Sequence, residues 1–161
     1  MNLKEIEMPE LYKLNGYLAA VSDFIKTGEL RWDFEVSLYE YESPSLGVVE
    51  LVKAAYPKSQ PEKAEITECS LEDILETFKH ELGRCLPLME TQRILQPILG
   101  LYAGMWQYLN ECIDYSRSRF FEYFASDEPD SLSGGILGEF AFIICNENLH
   151  RCLIFIGVTV D

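Results

Sequence analysis

Apolar positions along the chain change period several times, and each change marks an element. Over residues 9–27, Leu11, Leu14, Leu18, Val21 and Ile25 recur at steps of three and four, with Tyr17 and Phe24 widening the stripe. That spacing predicts an amphipathic helix, with Pro9 suited to its first turn and Gly28 to its C-cap. The dipeptide Asn15-Gly16 favours a turn and predicts a late start or a bend in this helix. Residues 30–38 switch to period two. Leu30, Trp32, Phe34, Val36 and Leu38 alternate with Arg31, Asp33, Glu35 and Ser37, which predicts a strand with one face on the core. Residues 46–56 suit a short helix, although Val48, Val49, Leu51 and Val52 suit a strand equally. Residues 57–65, with Pro57 and Pro61, read as a polar linker.

Ser70-Leu-Glu-Asp73 has the form of a capping box with Asp in place of the usual Glu. Leu71, Ile74, Leu75, Phe78 and Leu82 supply the stripe of the helix that follows, and Gly83 and Pro87 end it. A second helix is expected over 88–96 and a long one over 97–125, with Pro97 either separating the two or kinking one continuous helix. The long stripe runs through Ile98, Leu101, Met105, Tyr108, Leu109, Cys112, Ile113, Phe120 and Tyr123. Residues 126–135 form a loop rich in Asp, Pro, Ser and Gly.

The last two apolar runs, 140–145 and 152–160, are β-branched and aromatic with little alternation. They predict a β-hairpin covered on both faces. A four-residue connection would set Cys145 opposite Cys152, and one residue fewer would break that pairing. The pattern as a whole describes an α+β fold: a helix-rich single domain over residues 1–161 with a small antiparallel sheet that includes a buried C-terminal β-hairpin.

Composition narrows the class. A chain of this length buries roughly 70% of its unfolded surface, so its core needs no disulfide or structural metal. Apolar residues make up 48% and aromatics 12%, too many for a disordered acidic tail. The net charge of −14 excludes a plain nucleic-acid-binding domain, which needs a basic footprint on phosphates. Cys69, Cys85, Cys112, Cys145 and Cys152 are scattered without C-x-x-C spacing, as in a reducing compartment. The N-terminus lacks a basic stretch followed by an apolar one, and the longest uncharged apolar run, 98–106, falls far short of the ~20 residues that span a bilayer. A cytoplasmic protein without membrane contact is expected.

Candidate chemistry is sparse. Glu76 and His80 stand four apart on a predicted helix, a spacing that could share a metal or a proton, but an ordinary pair on a solvated face accounts for it. His150 falls in the predicted hairpin loop with no nucleophile assignable to it. No phosphate-binding glycine motif and no G-x-S-x-G elbow occur, and Gly134-Gly135 precedes a strand instead of a helix. Gly100 and Gly104 form a G-x-x-x-G on the long helix, read as tight internal packing, with a homo-oligomer contact as the alternative. Arg117 and Arg119 are expected near the C-terminal end of that helix, where they complement its dipole. No catalytic residue, metal or cofactor follows from these patterns.

The charge is unevenly spread. Between positions 29 and 50, Glu29, Asp33, Glu35, Glu40, Glu42 and Glu50 face Arg31 alone. Between 120 and 150, Glu122, Asp127, Glu128, Asp130, Glu139 and Glu147 face no Lys or Arg. Carboxylates beside aromatic rings suit a basic protein partner, since charge steers encounter and rings stack on Arg and Lys. The favoured reading is an acidic protein-binding module, in the manner of an inhibitor or immunity protein, using Glu35, Tyr39, Glu40, Tyr41, Glu42, Asp127, Glu128 and Asp130. The alternative is a small-molecule-binding or regulatory domain whose pocket lies between the long helix and the C-terminal hairpin, walled by Trp32, Tyr102, Trp106 and Tyr108. An enzyme ranks below both.

Overall fold

The structure, a computed structural model, describes residues 2–25, 31–42, 47–84, 100, 103–126, 129, 131–134 and 139–160. Strands β1 (Leu3–Ile6), β2 (Arg31–Tyr41), β3 (Glu65–Cys69), β4 (Arg119–Phe124), β5 (Glu139–Asn146) and β6 (Arg151–Val160) build one antiparallel sheet in the order β1-β2-β6-β5-β4-β3. Helices α1 (Pro9–Ile25), α2 (Val48–Ala55) and α3 (Leu71–Arg84) and a helical segment over 103–113, here α4, complete an α+β fold. The helix expected over 88–96 lies outside the described residues, as do Cys85, Tyr102, Asp127, Glu128 and Asp130.

The sheet separates two apolar layers. On one face, α1 contributes Leu11, Leu14, Leu18 and Val21, α3 contributes Ile74 and Phe78, and α4 contributes Met105, Leu109, Cys112 and Ile113. These pack on Trp32, Val36, Phe140, Phe142, Leu153 and Phe155. On the other face, Leu51 and Val52 of α2 and Leu132 cover Tyr39, Tyr41, Phe121, Tyr123, Ile143, Ile154 and Ile156. Alternate residues of β5 and β6 therefore enter different layers, and both are apolar, which is why these runs show no alternation. The two strands pair from Glu139–Val158 to Asn146–Arg151 through a turn at 147–150, with Cys145 directly opposite Cys152.

Among the described residues the sheet has six strands where three are expected, so it is larger than the small sheet of the helix-rich expectation. The missing strands have physical reasons. β1 is only four residues long. β3 begins where the polar linker expected over 57–65 ends, in residues whose pattern predicts no element; it is a sheet edge whose Glu65, Thr67 and Glu68 are exposed, and charge on an edge strand discourages pairing with other chains. β4 was expected to be the end of the long helix. Instead Asp114 adopts φ 56 and closes α4, and its side chain accepts the Ser116 N–H at 3.2 Å in a single tight turn, Tyr115–Arg117. The aromatic run Phe120-Phe-Glu-Tyr-Phe124 then suits a strand covered on both faces.

Other expectations resolve locally. Residues Val48–Ala55 are helical, so the ambiguity there goes to helix. The capping box forms: the Ser70 N–H donates to Asp73 Oδ2 at 2.8 Å, and the Asp73 N–H donates to Ser70 Oγ at 3.1 Å. Helix α1 runs through Asn15-Gly16 without interruption, because Asn15 spends its polar groups on a neighbouring strand. Gly104 serves internal packing, for a Cβ there would lie 2.6 Å from Cζ of Tyr17 in α1, whereas a Cβ at Gly100 would meet none of the described residues within 4 Å.

Candidate functional site

Strand β1 covers only one end of β2, pairing Leu3–Ile6 with Leu38–Tyr41. From Arg31 to Ser37 this edge of β2 has no partner strand among the described residues, and α1 lies along it. Asn15 Nδ2 donates to the Val36 carbonyl and Asn15 Oδ1 accepts the Val36 N–H, both at 3.1 Å, while Ser22 Oγ donates to the Trp32 carbonyl. Between the end of β1, the first turns of α1 and this edge lies a cleft of about 270 Å³.

The cleft is acidic on an apolar floor. Ile6, Leu11, Phe34 and Val36 form the floor, and Glu5, Glu7, Glu35, Tyr12 and Ser37 carry its polar groups. Among the described residues that line it there is no Lys or Arg. Period two explains the grouping: Glu5 faces Tyr39 across the β1–β2 ladder, and Ser37 and Glu35 follow Tyr39 at two-residue steps on the same side. Tyr12 is 62% exposed, the most exposed large ring among the described residues. A hydrogen bond to Glu7, then loss of solvent, then that carboxylate's charge raise its phenol above the ordinary value. Burial raises the Tyr39 phenol, with Glu5 and Glu35 adding to it, and the hydrogen bonds to Ser37 and Tyr56 act the other way. A concavity holding three carboxylates and one exposed ring matches the needs of an Arg or Lys side chain.

The residues expected at a partner surface divide. Glu35 is exposed in the cleft. Tyr39 and Tyr41 are 8% and 5% exposed and belong to the core layer under α2, and Tyr41 stacks on His150 with centroids 5.8 Å apart. Glu40 points to the opposite face and accepts from Arg151 at 3.0 Å and 3.1 Å. Glu42 is exposed beyond the end of β2. Sequence reasoning missed Glu5, Glu7 and Tyr12. The alternation Leu3, Glu5, Glu7 against Lys4, Ile6 is the available signal, but it spans too few residues to be read as a strand.

No family model matches the chain, and no curated protein matches it. Solved structures do. Two crystal structures of citrus MAF1 share this fold. One superposes with a TM-score of 0.67 at 16% identity, covering 96% of this chain and 98% of the other. The second gives 0.61 at 15% identity, covering 94% and 99%. At such identities the likeness to MAF1 is one of architecture, carried over nearly the whole length of both chains.

The remaining candidates have structural partners. Trp32 is 2% exposed and packs on Phe34 and Phe140, and Trp106 lies edge-on to Phe78 at 6.4 Å. Tyr108 meets Tyr17 edge-on at 5.6 Å. These rings pack against one another, while the indole N–H groups of Trp32 and Trp106 are buried without a hydrogen-bond partner among the described residues. Glu76 pairs with Lys79 at 3.1 Å on the solvated side of α3, where His80 is also exposed. Arg119 sits in β4, not near a helix end, and its guanidinium grips Glu68 at 2.8 Å and 2.9 Å and reaches Glu147 at 3.4 Å. Among the described residues no group of three or more potential metal ligands occurs, and no helix is long and apolar enough to cross a membrane.

Proposed function

We propose that the protein is an acidic binding module that docks on a basic protein partner through the cleft beside the helix-capped edge of β2, in the manner of an inhibitor. The supporting observation is the convergence of Glu5, Glu7 and Glu35 around an apolar floor and the exposed Tyr12, with no lining cation among the described residues. A partner's Arg or Lys enters with its stem on Ile6, Leu11 and Phe34 and its charge among the carboxylates. Scattered thiols agree with a cytoplasmic setting. The test compares the wild-type chain with the triple variant Glu5→Lys, Glu7→Lys, Glu35→Lys. A basic partner isolated from the native host should bind the variant at least about tenfold more weakly and lose affinity for wild type as salt rises. Equal affinity for both proteins, insensitive to salt, would overturn the reading.

A second reading has its own observation. A cleft of about 530 Å³ lies between Tyr56, Pro57, Lys58 and Ser59 on one side and Leu132, Ser133 and Gly134 on the other, within the size range of small-molecule sites. Glu139 shapes one wall by accepting the Leu132 and Ser133 N–H groups at 2.9 Å each. A metabolite of the native state would raise the melting temperature, and Glu139→Gln would weaken that shift.

A further inference from the structure

We propose that Cys145 and Cys152 form a cross-strand dithiol that a hydroperoxide oxidises to a disulfide, with Cys145 as the attacking thiol. The two residues are directly opposite in the β5–β6 ladder, both are free thiols, and their Sγ atoms stand 3.7 Å apart. Residues opposite one another in an antiparallel pair have Cα separations of about 4.5 or 5.5 Å, and a disulfide accepts about 4.4–6.8 Å. Bond formation therefore asks for rotation of two side chains and leaves the sheet in register.

The two thiols are not equivalent. Cys145 lines a cleft of about 160 Å³ whose walls include Tyr41, Val48, Arg119, Phe121 and Glu147, a volume that admits a peroxide. Arg119 is its neighbour across the β4–β5 ladder, held in place by Glu68 and Glu147. Cys152 is 1% exposed and lines none of these walls. Its bond with Cys145, together with burial, pushes its thiol well above the ordinary value, so it waits as the resolving partner.

The chemistry balances in two steps. Cys145, its proton released to water, attacks one peroxide oxygen: the S–O bond forms, the O–O bond breaks, and the leaving oxygen departs as water or an alcohol. The Cys152 sulfur then attacks the Cys145 sulfur: the S–S bond forms, the S–O bond breaks, and the sulfenic oxygen leaves as water with the Cys152 proton. Two thiols lose two electrons and the peroxide gains them. A cellular dithiol reverses the step by exchange.

Trypsin supplies the readout, because it cuts after Arg119 and Arg151 and leaves Cys145 alone on peptide 120–151 and Cys152 alone on peptide 152–161. The full-length protein is treated with hydrogen peroxide, blocked with N-ethylmaleimide and digested without reduction. The expected product is the two peptides joined, two hydrogens lighter than their sum and separated by dithiothreitol. In Cys152→Ser, Cys145 should instead trap dimedone as a sulfenic acid. Two separately maleimide-labelled peptides after peroxide, a bond from Cys145 to Cys69 or Cys112, or a Cys145 inert to dimedone in Cys152→Ser would overturn the proposal.

Discussion

The side chain of Asn15 does the work of a missing strand for Val36. Its amide accepts the Val36 N–H and donates to the Val36 carbonyl, each at 3.1 Å, the two bonds that a neighbouring β-strand would make. A helix thereby closes a sheet edge that β1 is too short to reach, and it leaves beside itself the acidic cleft.

Asn15→Ala removes both partners from a partly buried backbone pair. An unsatisfied buried group costs about 1–3 kcal/mol, so a loss of about 2 kcal/mol is expected, read as a lower urea midpoint with an unchanged slope. Asn15→Asp should cost more than a surface exchange, since it keeps the acceptor but sets a carboxylate against the Val36 carbonyl. The freed edge should also raise light scattering at high concentration. Unchanged midpoints would show that water replaces the amide.

The same residue shows how far the sequence could be read. Asn15-Gly16 signals a turn, and the signal is local; its use as an edge cap depends on Val36, 21 positions away. Elements with long, clean periodicity were legible, namely α1, β2 and α3 with its capping box, and the C-terminal strands were legible from their unbroken β-branched and aromatic runs. β3 and β4 were not, because β3 is an exposed charged edge and the Phe120–Phe124 run fits either period until Asp114 ends the helix. For the site, Glu35 was legible from the charge distribution. Glu5 and Glu7 join it only because β1 folds back onto β2 across more than thirty residues of chain.

Gly157 stands opposite Phe140, and a Cβ there would lie 2.6 Å from Cε1 and 3.0 Å from Cε2 of that ring. The ring cannot retreat, since Trp32, Phe34, Phe78, Phe142 and Phe155 surround it. Overpacking of this kind typically costs about 1–3 kcal/mol. Gly157→Ala should fall in that range and Gly157→Val beyond it. The compensating double variant Gly157→Ala with Phe140→Leu should recover part of the loss, measured by a double-mutant cycle in urea.

Asn146 is fully buried at the end of β5. Its Nδ2 donates to the Ile113 carbonyl at 2.8 Å, and its Oδ1 accepts the Leu149 N–H at 3.0 Å. It thus joins the C-terminus of α4 to the hairpin turn. Asn146→Leu strands both backbone groups and should cost about 2–4 kcal/mol. Asn146→Asp should cost a similar amount, because a carboxylate cannot donate to Ile113. Hydrogen exchange should locate the effect: faster exchange at Leu149 and in the last turn of α4, with β2 and α1 unchanged. Uniform acceleration across the domain would contradict a local tie.

Alkaline pH should destabilise the fold in two windows. Burial pushes the thiols of Cys69 and Cys112 up from 9.0 to about 11, and the Tyr41 phenol up from 10.0 to about 12. In each case the unfolded chain loses its proton first, so above pH 9 it binds fewer protons than the native state and stability falls as pH rises. The contribution is whole below the unfolded values. It is lost between about pH 9 and 11 for the thiols and between about pH 10 and 12 for Tyr41. Tyr41→Phe keeps the ring over His150 and removes the titrating group, so its urea midpoint should decline less steeply than wild type above pH 10. Parallel profiles for wild type and Tyr41→Phe up to pH 11.5 would place the alkaline transition on other groups.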